Sequence, residues 1–230
     1  MESHDRIYLD VLRRVRAAPE VHIGGRSFLR LRAFHFGYCW FRPDRESEIA
    51  MIDEFRNWIA GRYDFETASV SAGDMLAEAA ESDERAFDLY FDELDAFQVA
   101  YQTSFEKRPA RFLNKQIVPV SAWLDVLAER PTMYLPRESP ECLRAYMDGY
   151  VLASLEAGHP ECSDLEGFDL WIRKELGLRG YFRWESVFAK RCGGDERLGY
   201  KYAIESMREF RASKGPVRLY SFDYIDRENV

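Results

Sequence analysis

The side chains that could do chemistry are few and thinly spread. A metal site needs three or four soft or imidazole ligands at compatible spacing, and the nearest approach is His159-x-x-Cys162 in a proline-containing loop, with Cys192 far downstream. Two ligands do not make a site, so no metal and no other cofactor is expected. Cys192 has no histidine near it in sequence and precedes Gly193-Gly194, which suits a thiol at a helix end better than a nucleophile. Gly-x-Ser-x-Gly, His-Glu-x-x-His and the phosphate-cradling glycine loop are all missing from the sequence. No catalytic residue is therefore assigned.

The charges are more informative. The chain carries a net charge of −8, of which residues 1–110 contribute 21 acidic against 14 basic side chains and residues 111–230 only 19 against 18. Between Asp74 and Asp95 nine carboxylates face Arg85 alone. If this stretch is helical from Asp83, then Phe87, Tyr90, Phe91, Leu94 and Phe97 form one apolar stripe by steps of three and four. Asp88, Asp92 and Asp95 then lie on the opposite side, with Glu84 one turn earlier. These four are the candidate partner-binding residues, and lysines in place of the aspartates are expected to leave the fold intact. A basic protein is the expected partner. Nucleic acid is not, because a polyanion requires the opposite sign of charge.

Arg32 and Arg144 are the second candidate pair, since a guanidinium set between apolar neighbours can clamp an anion. The favoured alternative is that each pairs with a carboxylate of its own unit and fixes a helix crossing. Both residues belong to an internal repeat. Shifting the sequence by 112 positions aligns Pro19 with Pro131, Ser27 with Ser139, Leu31-Arg32-Ala33 with Leu143-Arg144-Ala145, and Gly37-Tyr38 with Gly149-Tyr150. That is seven identities in twenty positions, where composition alone gives about one or two. Val21 falls on Met133, Ile23 on Leu135 and Phe34 on Tyr146, while His35 falls on Met147, a replacement no general base would tolerate.

Further on, an offset of 113 places Phe55-x-x-Trp58 on Phe168-x-x-Trp171 and the stripe ending at Phe97 on the one ending at Phe210. The triplet Asp83-Glu84-Arg85 matches Asp195-Glu196-Arg197 only at 112, which leaves the register there open.

The elements that must position these residues are helices. The expected fold is mainly α, with two tandem helical units related by internal duplication. Helices are expected at 5–17, 27–41, 48–62, 73–80 and 83–102, and again at 120–129, 139–157, 164–176, 183–191 and 196–213. Ser27 and Ser139 are the expected N-caps, Pro140 suits a first helical position, and Gly37 and Gly149 should let helices approach closely. Trp58 and Trp171 are expected in the core. The organisation is then an acidic first unit over 1–102, a linker over 103–119, a second unit over 120–213 and a tail over 214–230. A short β pairing of 116–118 with 217–225 would tie linker to tail.

With 47% hydrophobic residues the chain has ample material for a core. No run approaches the roughly 18–20 apolar residues of a membrane helix, and Met1–Asp10 carries acids where a secretory signal would be apolar. A cytoplasmic protein with reduced cysteines and no membrane partner is expected.

The series Arg130-Pro131-Thr132-Met133-Tyr134-Leu135, Ser139, Leu143-Arg144-Ala145, Gly149-Tyr150 and Phe168-x-x-Trp171 resembles a group of small, poorly characterised bacterial proteins. These open with Arg-Pro-x-Met-Tyr-Leu-Gly and continue with Gly-Tyr and Phe-x-x-Trp helices; some resemble immunity proteins of toxin loci. The first unit departs from the pattern, with Val21-His22-Ile23 in place of Met-Tyr-Leu. The resemblance implies a role in toxin immunity, and together with the acidic charge the expectation is a non-enzymatic protein-binding protein that covers a basic surface of a bacterial toxin. The alternative is an enzyme or small-anion binder that uses a cleft between the two units.

Overall fold

The computed structural model describes residues 4–41, 45–66, 70–101, 119–160, 163–180 and 183–214. The fold is mainly α, and the described residues contain no strand. The expected pairing of 116–118 with 217–225 lies outside them. The helices are α1 (His4–Ala17), α2 (Pro19–His22), α3 (Phe28–Phe41), α4 (Arg45–Tyr63), α5 (Ala72–Ala79) and α6 (Asp83–Tyr101). After a 3-10 turn at Val120–Trp123 come α7 (Leu124–Glu129), a second such turn at Pro131–Met133, α8 (Pro140–Glu156), α9 (Phe168–Glu175), α10 (Trp184–Arg191) and α11 (Glu196–Ser213).

Side-chain caps explain where the longer helices begin. The Ser27 hydroxyl accepts from the Arg30 amide at 3.2 Å and the Ser139 hydroxyl from the Cys142 amide at 3.1 Å, satisfying donors that a first turn otherwise leaves unpaired. Ser82 does the same for Arg85, and Asp195 for Leu198. These last two caps stand 113 positions apart, so the start of α6 corresponds to the start of α11 at that offset. The Asp83-Glu84-Arg85 triplet is one residue out of step with it.

The centre of the molecule is the crossing of α3 and α8. A Cβ on Gly37 would sit 1.9 Å from the carbonyl oxygen of Tyr146, and one on Gly149 would sit 2.1 Å from that of Phe34. Without side chains at these two positions the backbones touch, and Phe34, Tyr38, Tyr146 and Tyr150 close around the contact, all buried. Residues rising from 34 to 37 meet residues falling from 149 to 146, so the two helices run antiparallel.

Around this crossing the two halves repeat a ring arrangement. Phe97 of α6 meets Phe55 at 5.4 Å and Trp58 at 6.1 Å between centroids, and Phe210 of α11 meets Phe168 and Trp171, each at 5.6 Å. Both tryptophans are partly buried and flank the core rather than fill it. Their size and indole N–H favour an edge position; Trp58 donates to Glu93 at 3.0 Å. One hydrophobic cluster runs through both halves, from Val11 to Phe210. Trp40 of α3 sits edge-on to Trp123 and Tyr134 at 5.1 and 5.3 Å, and Arg14 and Tyr38 both bind the Glu156 carboxylate at 2.7 Å.

Two details depart from the sequence reading. The helix expected from 164 begins at Phe168, because Gly167 adopts φ +85° and Asp164 is turned inward to accept from Ser121 and from Arg211. Val21 and Met133, aligned as an apolar pair, are 75% and 61% exposed at the tips of equivalent turns, whereas their neighbours Ile23 and Leu135 are buried.

Candidate functional site

The outer side of α6 carries the acidic candidates. Its inner side is buried through Ala86, Phe87, Phe91, Leu94 and Phe97, which sends Asp88, Asp92 and Asp95 outward. They do not stand alone. Arg16 of α1 binds Asp95 at 2.6 Å and Asp92 at 3.2 Å, and Arg26 binds Asp88. The same two guanidiniums lie over the rings of Phe91 and Phe87, at 5.3 and 5.8 Å from their centroids. Each arginine thus covers the apolar stripe with its planar face and neutralises aspartates with its edge.

The second half has a counterpart of reversed polarity. Position 208 corresponds to position 95 at offset 113, and there Arg208 of α11 binds Asp125 of α7 at 2.5 Å. In both halves an ion pair ties the last helix to the first. The three aspartates therefore hold α1 and the segment after α2 in place, and replacing all three with lysine would set like charges against Arg16 and Arg26. The expectation that such a variant keeps the fold therefore meets a cost at these exposed pairs, up to about 1 kcal/mol for each.

The rest of the acidic run divides by environment. Glu93 is only 5% exposed and accepts from Trp58, Tyr63 and Arg62 at 3.0, 3.0 and 2.7 Å, so it belongs to the interior. Asp83 accepts from the Leu29 amide at 2.9 Å, at the start of α3. Asp74 is held by Ser71 and Arg32; burial works against its charge, but these partners outweigh it and lower its pKa. Glu78, Glu81 and Glu84 are exposed. The fold sets Arg16, Arg26, Arg32 and Arg62 against a stretch of nine carboxylates that holds only Arg85 of its own, and the surface stays acidic around the α5–α6 corner. These four arginines are not legible from the acidic stretch because they arrive from other parts of the chain, three from helices and Arg26 from the segment after α2.

Arg32 and Arg144 both bind carboxylates of their own half. Arg32 meets Asp74 at 2.8 Å, with Gly73 leaving room for its stem. Arg144 is the hub of a larger cluster: its Nε donates to both oxygens of Asp148 at 2.9 Å, and its Nη1 lies 3.2 Å from Asp169 and 3.8 Å from Glu185. Burial disfavours its charge, but the three carboxylates outweigh that and raise its pKa further. Arg183 completes the group, binding Glu185 at 2.6 Å. Only the spacing of Arg144 and Asp148, one helical turn apart, signalled this cluster in the sequence. The contact between the halves at α3 and α8 is a packed crossing.

Among the described residues no group of three or more His, Cys, Asp or Glu side chains is arranged to hold a metal; Cys162 lies outside them. Cys142 is buried, and burial pushes its thiol up to about 11. Cys192 is also shifted upward, by burial and by Asp195. Neither thiol is primed as a nucleophile. His35 lies 3.7 Å from the Cys39 sulfur, one turn along α3. A shallow groove of about 380 Å³ runs between α7 and α11, lined by Ser121, Leu124, Asp125, Arg208, Arg211 and Ala212. Its arginines are bound to Asp125 and Asp164.

Fold and site together define a mainly α-helical protein built on a glycine-mediated crossing of two central helices, with an acidic outer surface on its first half. Among the described residues no helix is long and apolar enough to cross a membrane. No family model, curated protein or solved structure matches the chain.

Proposed function

We propose that this is a non-enzymatic protein-binding protein whose acidic first half docks a basic surface of another protein. The observation that supports this most is the charge left over after folding: four guanidiniums bind carboxylates of the stretch from Asp74 to Asp95, which holds nine of them and one arginine, Arg85, of its own. Glu78, Glu81 and Glu84 stay exposed at the α5–α6 corner, and Asp92 and Asp95 keep 58% and 62% of their side-chain exposure even within ion pairs. A surface of one sign raises the rate of encounter with a partner of the other. The resemblance of the second half to immunity-type proteins favours a cytoplasmic inhibitor that covers a toxin's basic, nucleic-acid-binding surface.

The test is capture from the native host with the intact protein and with the variant Glu78→Lys, Glu81→Lys, Glu84→Lys, followed by identification of the captured chain. A basic protein held by the parent and lost by the variant supports the reading; equal capture by both removes the acidic face from it. Inhibition of the captured protein's activity by the parent alone would establish the immunity role.

A further inference from the structure

We propose that the cluster of Asp148, Arg144, Asp169, Glu185 and Arg183 is a proton-operated clasp that tightens α9 and α10 onto α8, and onto the α2 turn of the first half, as the medium becomes acidic. Two guanidiniums here serve three carboxylates, while Arg173 of α9 donates to the backbone carbonyls of Asp169 and Gly180, so the five side chains carry one surplus negative charge in a site where Glu185 keeps only 4% of its side-chain exposure. One Glu185 oxygen, Oε2, accepts no hydrogen bond. It lies 3.8 Å from Arg144 because that guanidinium is committed to both oxygens of Asp148 and to Asp169. An unpaired buried charge of this kind is costly, and one proton removes it.

We assign that proton to Asp148, which shares the surplus charge with Glu185 and keeps 29% of its side-chain exposure as a route for it. On its own helix stands Arg144, across on α10 stands Glu185 with Arg183 at the helix start, and α9 supplies Asp169 through Arg144. Burial pushes the Asp148 carboxyl up to about 6, with Glu185 adding to the shift and Arg144 and Arg183 opposing it. A carboxylate raised above its ordinary range stabilises the fold below that range and loses the contribution as pH rises through 6. Once Asp148 is neutral, its hold on Nε weakens and the Arg144 guanidinium can close on Glu185.

Glu185 holds Arg183 by its other oxygen, and Arg183 donates at 3.0 Å to the Glu20 carbonyl of α2. The path from Asp148 therefore ends in the first half of the molecule.

Hydrogen exchange of the intact chain, compared at pH 7.5 and 5.0 after correction for intrinsic exchange chemistry, tests the clasp. Peptides covering 168–191 and 19–25 should gain about tenfold in protection at pH 5.0, the ratio expected for a carboxyl moved from about 4 to about 6. Asp148→Asn should show the acid level of protection at both pH values. Arg183→Met should keep the pH response in 168–191 and lose it in 19–25. Protection in the parent that is unchanged or lower at pH 5.0, or a pH response that persists in Asp148→Asn, would overturn the proposal. Should Asp148→Asn fail to fold, the parent and Arg183→Met decide it.

Discussion

Gly37 and Gly149 occupy reciprocal places in one helix crossing: each lies against the backbone of the residue three positions before the other, Tyr146 for Gly37 and Phe34 for Gly149. Reciprocal contacts of this kind characterise a two-fold interface, here formed within one chain. The aligned positions 34 and 146, and 37 and 149, exchange roles across it.

Gly37→Ala should therefore be strongly destabilising. Its Cβ would lie 1.9 Å from a backbone oxygen, and neither helix can yield without opening the buried rings around it. A loss of about 2–4 kcal/mol is expected by urea unfolding. Gly61→Ala is the control, because that glycine is inside α4 and a Cβ there meets nothing within 4 Å. It should gain up to about 1 kcal/mol from helix propensity. Equal effects at the two positions would refute the close approach.

Glu93→Ala should cost about 3 kcal/mol or more, since it strands three donors, Trp58 Nε1, the Tyr63 hydroxyl and Arg62, around the emptied site. Glu93→Gln keeps an acceptor and should lose less. The Tyr63 phenol offers a second readout: burial, then its bond to Glu93 and that residue's charge, raise its pKa. Spectroscopic titration should show it ionising at lower pH in the glutamine variant. An unchanged titration would remove Glu93 from the account.

The helices were legible in the sequence because stripes such as Phe87, Phe91, Leu94 and Phe97 repeat at helical spacing, and because serine caps mark their starts. The repeated glycine pointed to a close approach, though not to the two copies meeting each other. The partners of the acidic face are not legible in the sequence, for a physical reason. Charge counted along a chain omits what folding brings from elsewhere, and Arg16 and Arg26 reach Asp92, Asp95 and Asp88 across 62 to 79 positions. Glu93 is one of the nine carboxylates in that count, yet it is buried beside Leu94 and turned toward Trp58.

Reversing both charges of the pair that ties α1 to α6 should be tolerated better than reversing one. Arg208 and Asp125 already hold the corresponding helices with the opposite polarity. Asp95→Arg alone sets a second positive charge against Arg16 and should destabilise by up to about 1 kcal/mol, the scale of exposed pairs. Arg16→Asp alone removes cover from Asp92 as well. The double variant should recover part of the loss from Asp95→Arg, the remainder reflecting Asp92. Strict additivity in the double-mutant cycle would show that the pair contributes nothing.

Charge reversal at Glu78, Glu81 and Glu84 separates binding from folding more cleanly than reversal at the aspartates, because these three glutamates are exposed and enter no ion pair within the described residues. Their replacement by lysine should change stability by no more than about 0.5 kcal/mol per site. If a basic partner approaches the α5–α6 corner, the parent's association rate should fall steeply as salt shortens the screening length toward about 8 Å. The triple-lysine variant should associate more slowly at low salt, by tenfold or more, and lose that salt dependence. Dissociation should change less, since charges at a rim act mainly on encounter. Stopped-flow measurements at two ionic strengths distinguish these cases. Parent and variant rates that coincide at low salt would assign this corner to solubility alone.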